Sequence, residues 1–353
     1  MSEATEQLPD AAAESAKYES KSHGSVQRAS DLFSREEIAA FIAPSASRGL
    51  LLVAHCWLMI LAIWCVGALV AGSALPLIAK VLLLVLAIPL IGARQLGLAI
   101  LNHDGAHFTL HPNRVVNDWV SQWLLNRPLF GGSVLGYRKY HLNHHRFTQQ
   151  ENDPDLHLSA KFPITKSSFK RKLWRDLSGQ TGFKQYGALI KASIDRGQTA
   201  HDISAGPGMG SSGNGFWHRF GPNLAINVVF FIGFAMAGYW YLYLLLWLLP
   251  AFTWERFITR LRNIGEHAVV PDNDDRLRNT RTVLASIWER ALIAPYFVNY
   301  HLENHLLVSA PCFRLPDMLR SLIAKGYGPS MEIKAGYAEL LKVALNKPEP
   351  AAA

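Results

Sequence analysis

From Gly49 to Gly72 the chain carries no Lys, Arg, Asp or Glu. A charge-free apolar run of more than about 20 residues is long enough to cross the hydrocarbon core of a bilayer as a helix. The one polar ring inside it, His55, reads as a packed residue rather than a ligand. Ala71–Pro76 is a short turn, and a second apolar run follows from Leu75 to Leu101. Lys80 can snorkel at one end of that run, and Arg94 is placed near the opposite interface. The helix then continues into His103 and His107. Asn223–Pro250 is a third long run without a charge, read as a hairpin turning near Gly238. The chain is 50% hydrophobic with mean hydropathy +0.09, which fits a membrane protein with a sizeable polar part. Its net charge of +8 is read as the positive-inside bias of such a protein, in place of a nucleic-acid partner.

Outside these runs the chain groups its histidines. Tyr140–Arg146 holds His141, His144 and His145. On a helix the positions i, i+3 and i+4 share a face, so the expectation is three imidazoles aimed at one point. His103 and His107 are spaced by four, as are His301 and His305, and Asn263 stands four residues before His267. Eight of the 14 histidines fall in these four groups. Convergent imidazoles suit Zn, Fe, Cu or Ni better than Mg or Ca. Asp104, Asp153, Asp155, Glu266 and Glu303 lie close in sequence and are candidate partners for the imidazole N–H groups.

One site requires His103–His145 and His267–His305 on the same side of the membrane. The chain between them then crosses an even number of times. Spans at about 49–72, 75–101, 220–237 and 240–258 satisfy this. Arg256, Arg260, Arg262, Arg276, Arg278, Arg281 and Arg290 follow the last span, while the turns near 73 and 238 are uncharged. The positive-inside rule therefore puts the histidines in the cytoplasm, and the protein in what reads as a bacterial inner membrane.

Residues 1–34 lack an apolar run and read as a disordered tail with no secretory signal. Ser34 and Glu37 form a capping-box pattern at a helix start. The stretches 113–135 and 283–292 are amphipathic, the first bearing Trp119 and Trp123, and suit helices in the membrane interface or against the core. From Tyr137 to Arg196 there are 12 Lys or Arg and no apolar run, so this is a polar-side domain. Gly208–Gly213 matches the dinucleotide fingerprint in letters only, with no strand before it and no βαβ unit after, and reads as a loop. Three cysteines imply no disulfide framework. Leu315–Gly326 reads as a helix stopped by its glycine, and residues 326–353 as a C-terminal helix and tail.

Taken together, His103-x-x-x-His107, His141-x-x-His144-His145 and His301-Leu-Glu-Asn-His305, set around two hydrophobic pairs, resemble the membrane fatty acid desaturase family. The resemblance covers about residues 50–325, with 35–325 as the desaturase-like domain. It extends to Asn152-Asp-Pro-Asp155 and to Asn299-Tyr300. It implies an all-α fold of four transmembrane helices with a cytoplasmic helical cap holding a di-iron site. It also implies two iron ions held by the eight histidines, O2 as co-substrate, and a fatty acyl substrate drawn from the lipid membrane. Asn263 with His267 looks like the extra pair of the acyl-CoA desaturases. The family's third box is usually HxxHH, and here Asn304 stands at its middle histidine, so Asn263 and Asn304 join the candidate ligands. No flavin, NAD, haem or iron–sulfur motif is present, so electrons are expected from a separate ferredoxin or cytochrome with its reductase. A carotenoid or lipid hydroxylase or ketolase with similar boxes is the nearest alternative. A membrane zinc hydrolase built on His103-Asp-Gly-Ala-His107 and a metal transporter are more distant ones.

Overall fold

The computed structural model describes residues 28–194 and 216–348. The Gly208–Gly213 loop and residues 1–27 lie outside them. Among the described residues the fold is all-α except for one two-residue parallel pair, Thr282–Val283 with Ile333–Lys334.

The first two helices are α1 (Arg35–Ile42) and α2 (Arg48–Gly72), and α3 (Leu77–Ala106) follows. Two helices, α2 and α3, are long and apolar enough to cross a membrane. They pack as a pair, with the Cys56 thiol donating to Arg94 O at 3.4 Å. Lys80 Nζ reaches Ala71 O at 3.0 Å. Arg94 departs from its expected place at an interface. It is buried mid-helix and donates to Ala291 O at 2.6 Å, satisfying a carbonyl near the end of the short helix Ile287–Leu292.

The interfacial stretch is α4 (Arg114–Val120), capped by Asn113 and running on through a wider turn over Ser121–Asn126. It turns Asn117, Val120, Ser121 and Leu125 inward and leaves Val115, Trp119 and Trp123 exposed. The polar-side elements are α5 (Val134–Phe147), α6 (Lys166–Leu177) and α7 (Gln180–Ile194).

The third apolar run forms α8 (Phe216–Met236), and Gly238 makes the expected turn with φ +82°. The return path differs from the single helix expected over 240–258. It runs as Trp240–Tyr243, a wide turn at Leu244–Leu248, and Leu249–Phe252, then kinks at Thr253 before α9 (Trp254–His267). Pro250 explains the break. It has no N–H to give to the carbonyl four residues earlier, and Leu246 O instead accepts from the Trp64 indole at 3.2 Å. Gln95 donates to Trp247 O at 2.8 Å in the same stretch. Trp57, Trp64, Phe230 and Trp247 fill the space between the helices, their ring centroids 5.3–6.2 Å apart.

Two short helices carry the C-terminal third, α10 (His301–Leu306) and α11 (Leu315–Ala324), followed by α12 (Tyr337–Ala344). Gly326, φ +85°, ends α11 as expected. Residues 28–34, read from the sequence as tail, are folded: Leu32 and Phe33 are buried in the apolar cluster of α11. Ser34 caps α1 with Glu37, and Glu37 also accepts from Ser321 Oγ at 2.8 Å and pairs with Lys325. On the other side α12 lies against α9 so closely that a Cβ at Gly265 would meet Tyr337 at 3.0 Å.

Candidate metal centre

The end of α3, the middle of α5, the end of α9 and all of α10 meet at one place. The eight clustered histidines divide there into two groups of four. One is His103, His107, His141 and His145, and the other is His144, His267, His301 and His305. Within each group one nitrogen per ring lies within 4.8 Å of the others.

The expectation that His141, His144 and His145 aim at one point is corrected. Successive residues turn by about 100°, so i+4 sits about 40° from i while i+3 sits about 60° to the other side. His141 and His145 therefore serve one group together, and His144 swings into the second, where its Nε2 lies 3.2 Å from His267 Nε2. His301 and His305, four apart, stay together.

The ring nitrogens converge through Nε2. His141 lies 3.0 Å from His107 and 2.9 Å from His145. His301 lies 2.8 Å from His267 and 3.0 Å from His305. Two nitrogens about 2.1 Å from one ion and about 90° apart lie roughly 3.0 Å from each other, against roughly 3.4 Å for a tetrahedral pair. The set therefore matches an ion with right-angled ligand positions better than tetrahedral zinc. All donors are nitrogen, with carboxylates behind them, which suits iron among the first-row metals.

Electrostatics prepares the rings. Burial holds His107, His141, His145, His267, His301 and His305 well below the ordinary 6.5, and their mutual repulsion adds to this. They are neutral at physiological pH, as metal ligands must be. Seven histidine nitrogens, or pairs of them, have outward partners or none. His144 Nδ1 faces Asp153 Oδ1 at 2.7 Å, and His305 Nδ1 faces Thr148 Oγ1 at 3.0 Å. Both nitrogens of His103 are buried without a hydrogen-bond partner, as are Nδ1 of His107, His145 and His267. An imidazole nitrogen left so is costly unless something else occupies the site.

The carboxylates divide as well. Asp153 binds His144 directly. Asp155 Oδ2 is 3.9 Å from the same ring and its other oxygen accepts from Tyr140 OH at 2.6 Å. Asp104 lies 3.6 Å from His103 Nδ1 and accepts from Cys312 N at 3.1 Å. Glu266 lies 3.6 Å from His301 Nδ1 and pairs with Arg262 at 2.5 Å. Burial pushes the Glu266 carboxyl up to about 7 although Arg262 opposes the shift. Glu303 is not placed against an imidazole by any hydrogen bond: it accepts from Thr282 Oγ1 at 2.6 Å, and burial raises it to about 7. Asn304 is 4% exposed and its Oδ1 has no hydrogen-bond partner. Asn263, half-buried, lines a cavity of about 40 Å³ with Tyr137, His141, His144, Glu266, His267 and His301. His55 lies apart from these groups, 3.0 Å from Tyr296 OH.

Sequence reasoning missed the residues that fasten these helices. Arg138 is buried and donates to Gly105 O and Ala106 O, at 3.0 and 2.8 Å, and to Asp118. It thereby locks α5 to the end of α3. Arg281 donates to Ala268 O and Val269 O, at 2.9 and 3.0 Å, at the end of α9. Arg276 binds His305 O at the end of α10. Each cation sits where a helix leaves its last carbonyls unpaired. Gln149 adds a bond to His267 O at 2.7 Å. The arginine run after the last apolar segment carries these assignments as well as a topology signal.

A family model described as fatty acid desaturase matches residues 79–332, well over half of the chain. No curated protein matches it. The matched stretch contains every one of the eight clustered histidines, and the histidine groups offer two places for a metal ion. The chain belongs to the fatty acid desaturase family, membrane-associated di-iron oxidoreductases of the desaturase and hydroxylase type.

Proposed function

We propose that the protein is an O2-dependent desaturase that introduces a double bond into a fatty acyl chain, with one iron in each four-histidine group. The observation that carries this reading is the division of eight neutral, buried imidazoles into two adjacent groups of four. A pair of irons there supplies the oxygen activation that removing hydrogen from an unactivated methylene demands.

The chain's own residues do the rest. His103, His107, His141 and His145 hold one ion, and His144, His267, His301 and His305 hold the other. Asp153 fixes the His144 ring with Nε2 free for metal, and Thr148 faces the outer nitrogen of His305. Asn304 stands on α10 where His144 stands on α5, three residues after one box histidine and just before another. On that analogy its buried, unpartnered amide oxygen faces the first group and completes it more weakly than an imidazole. Asn263 borders the small cavity beside the second group, either as a ligand or through water. That cavity, about 40 Å³, accepts a molecule of the size of water or dioxygen.

We further propose four crossings: α2, α3, α8 and the broken run over 240–252. The uncharged turns at 73 and 238 and the common location of the histidines support this. The metal groups face the cytoplasm, and an external ferredoxin or cytochrome delivers the electrons.

The zinc-hydrolase reading loses its general base, because Asp104, which it would use, is buried and held by the Cys312 N–H. Lipid analysis of an expressing host tests the proposal. New double bonds in acyl chains are expected, lost in a His144→Ala variant. Unchanged acyl chains with new hydroxylated or keto carotenoids would overturn it.

A further inference from the structure

Beside the metal groups lies a cavity of about 580 Å³ between α6, α7 and α9. Lys172, Arg175, Lys184, Arg256 and Arg260 line it, and no Asp or Glu does. Two of these cations have partners behind the wall: Arg256 with Glu255, and Arg260 with Asp176 at 2.5 Å. Lys172, Arg175 and Lys184 have no carboxylate within 4.0 Å among the described residues. Three unpaired cations and two anchored guanidiniums around one concavity repel each other until an anion enters. Burial and the charges of Arg260, Arg175 and Lys161 already lower the Lys172 ammonium. Fixed guanidinium forks beside mobile ammonium groups suit phosphate oxygens.

The cavity is joined to the metal site by shared walls. Leu158 and Asn263 line both it and the small cavity at His144 and His267. On α9, Arg256, Arg260, Asn263 and His267 fall at i, i+4, i+7 and i+11, one stripe of the helix. At about 1.5 Å of rise per residue, Arg260 and Arg256 lie roughly 10 and 16 Å along the axis from His267. An anion held by the arginines is thus within the reach of a partly extended acyl segment from the metals.

We infer that this cavity seats the phosphate-bearing head of an amphiphilic substrate whose acyl chain passes Asn263 and Leu158 to the histidine groups. The inference rests on the acyl-chain reading above and adds the chemistry of the head. A concave site of this volume suits a small polyanion. The convex face of an acidic protein donor would not fill it.

Titration calorimetry on the full chain in detergent tests it, with pyrophosphate, a long-chain acyl-coenzyme A and a short-chain phosphatidic acid as probes. Pyrophosphate should bind and should compete with one of the two amphiphiles. The amphiphile displaced tells a soluble thioester from a membrane lipid. Lys172→Glu and Lys184→Glu should each weaken binding about tenfold, the scale of one charged contact. Lys170→Glu, on α6 but outside the cavity lining, should not. Absence of binding by all three probes, or equal affinities in wild type and both reversals, would overturn the inference. So would reversals that slow electron delivery from an acidic ferredoxin while leaving probe affinity intact. Iron content measured on the same samples keeps the two readings apart: phosphate binding without iron would sustain the cavity and defeat the di-iron proposal.

Discussion

Asp153 Oδ1 lies 2.7 Å from His144 Nδ1, and both side chains are 2% exposed. The same carboxylate accepts the backbone N–H groups of Gln149 and Asp155, each at 2.8 Å. It therefore shapes the turn after α5 and sets the tautomer of a ring at the centre of the site. Asp153→Asn keeps the shape and removes the charge. It should cost about 10–100-fold in iron affinity, read as iron retained after dialysis against a graded series of chelator. Undiminished retention would mean that His144 is oriented by something else.

Arg281 is fully buried and binds Glu332 at 2.9 Å as well as the carbonyls at the end of α9. Arg281→Ala leaves both the carboxylate and the carbonyls without their partner. The expected destabilisation is about 3–5 kcal/mol, seen as a lowered thermal midpoint in detergent. A midpoint within error of wild type would contradict the role given to this arginine.

Six of the histidines outside the spans are held below 6.5 by burial. A depressed value in the folded state means that the unfolded chain binds protons more readily. Stability is therefore fully present above pH 6.5 and falls as the pH drops below it. The iron-free protein should show a midpoint that declines steadily from pH 6.5 downward, and bound iron should be released over the same interval as protons compete for the nitrogens. A flat midpoint between pH 7 and 5 would show that the rings are not buried as neutral imidazoles.

The four-span proposal is checked by reporter fusions. Reporters after residues 73 and 238 should report outside, and reporters after 160 and 330 inside. Opposite locations for 160 and 330 would break the common-side requirement on which the site depends.

The histidines are legible in the sequence because helical spacing converts directly into shared direction. Their allocation is less so. His144 finds His267 across 123 positions of chain, and only the packing of α5 against α9 decides that. The charge-free run Asn223–Pro250 announces apolar surroundings, but the position of the break depends on Pro250 and on Trp64 standing ready to accept the loss. Arginines read as a topology signal from their number also serve as individual caps. Arg94, Arg138, Arg276 and Arg281 each bind a helix-terminal carbonyl that no local motif marks. The folding of residues 28–34 likewise rests on two apolar side chains, Leu32 and Phe33, meeting a helix almost 300 residues away in the chain.

The central claim is that the two histidine groups are two iron sites. Elemental analysis of the purified protein, alongside His107→Ala and His267→Ala, tests it most directly. The account predicts two irons per chain in the wild type and a loss of iron in each variant, one from either group. One zinc per chain, held equally by both variants, would contradict it.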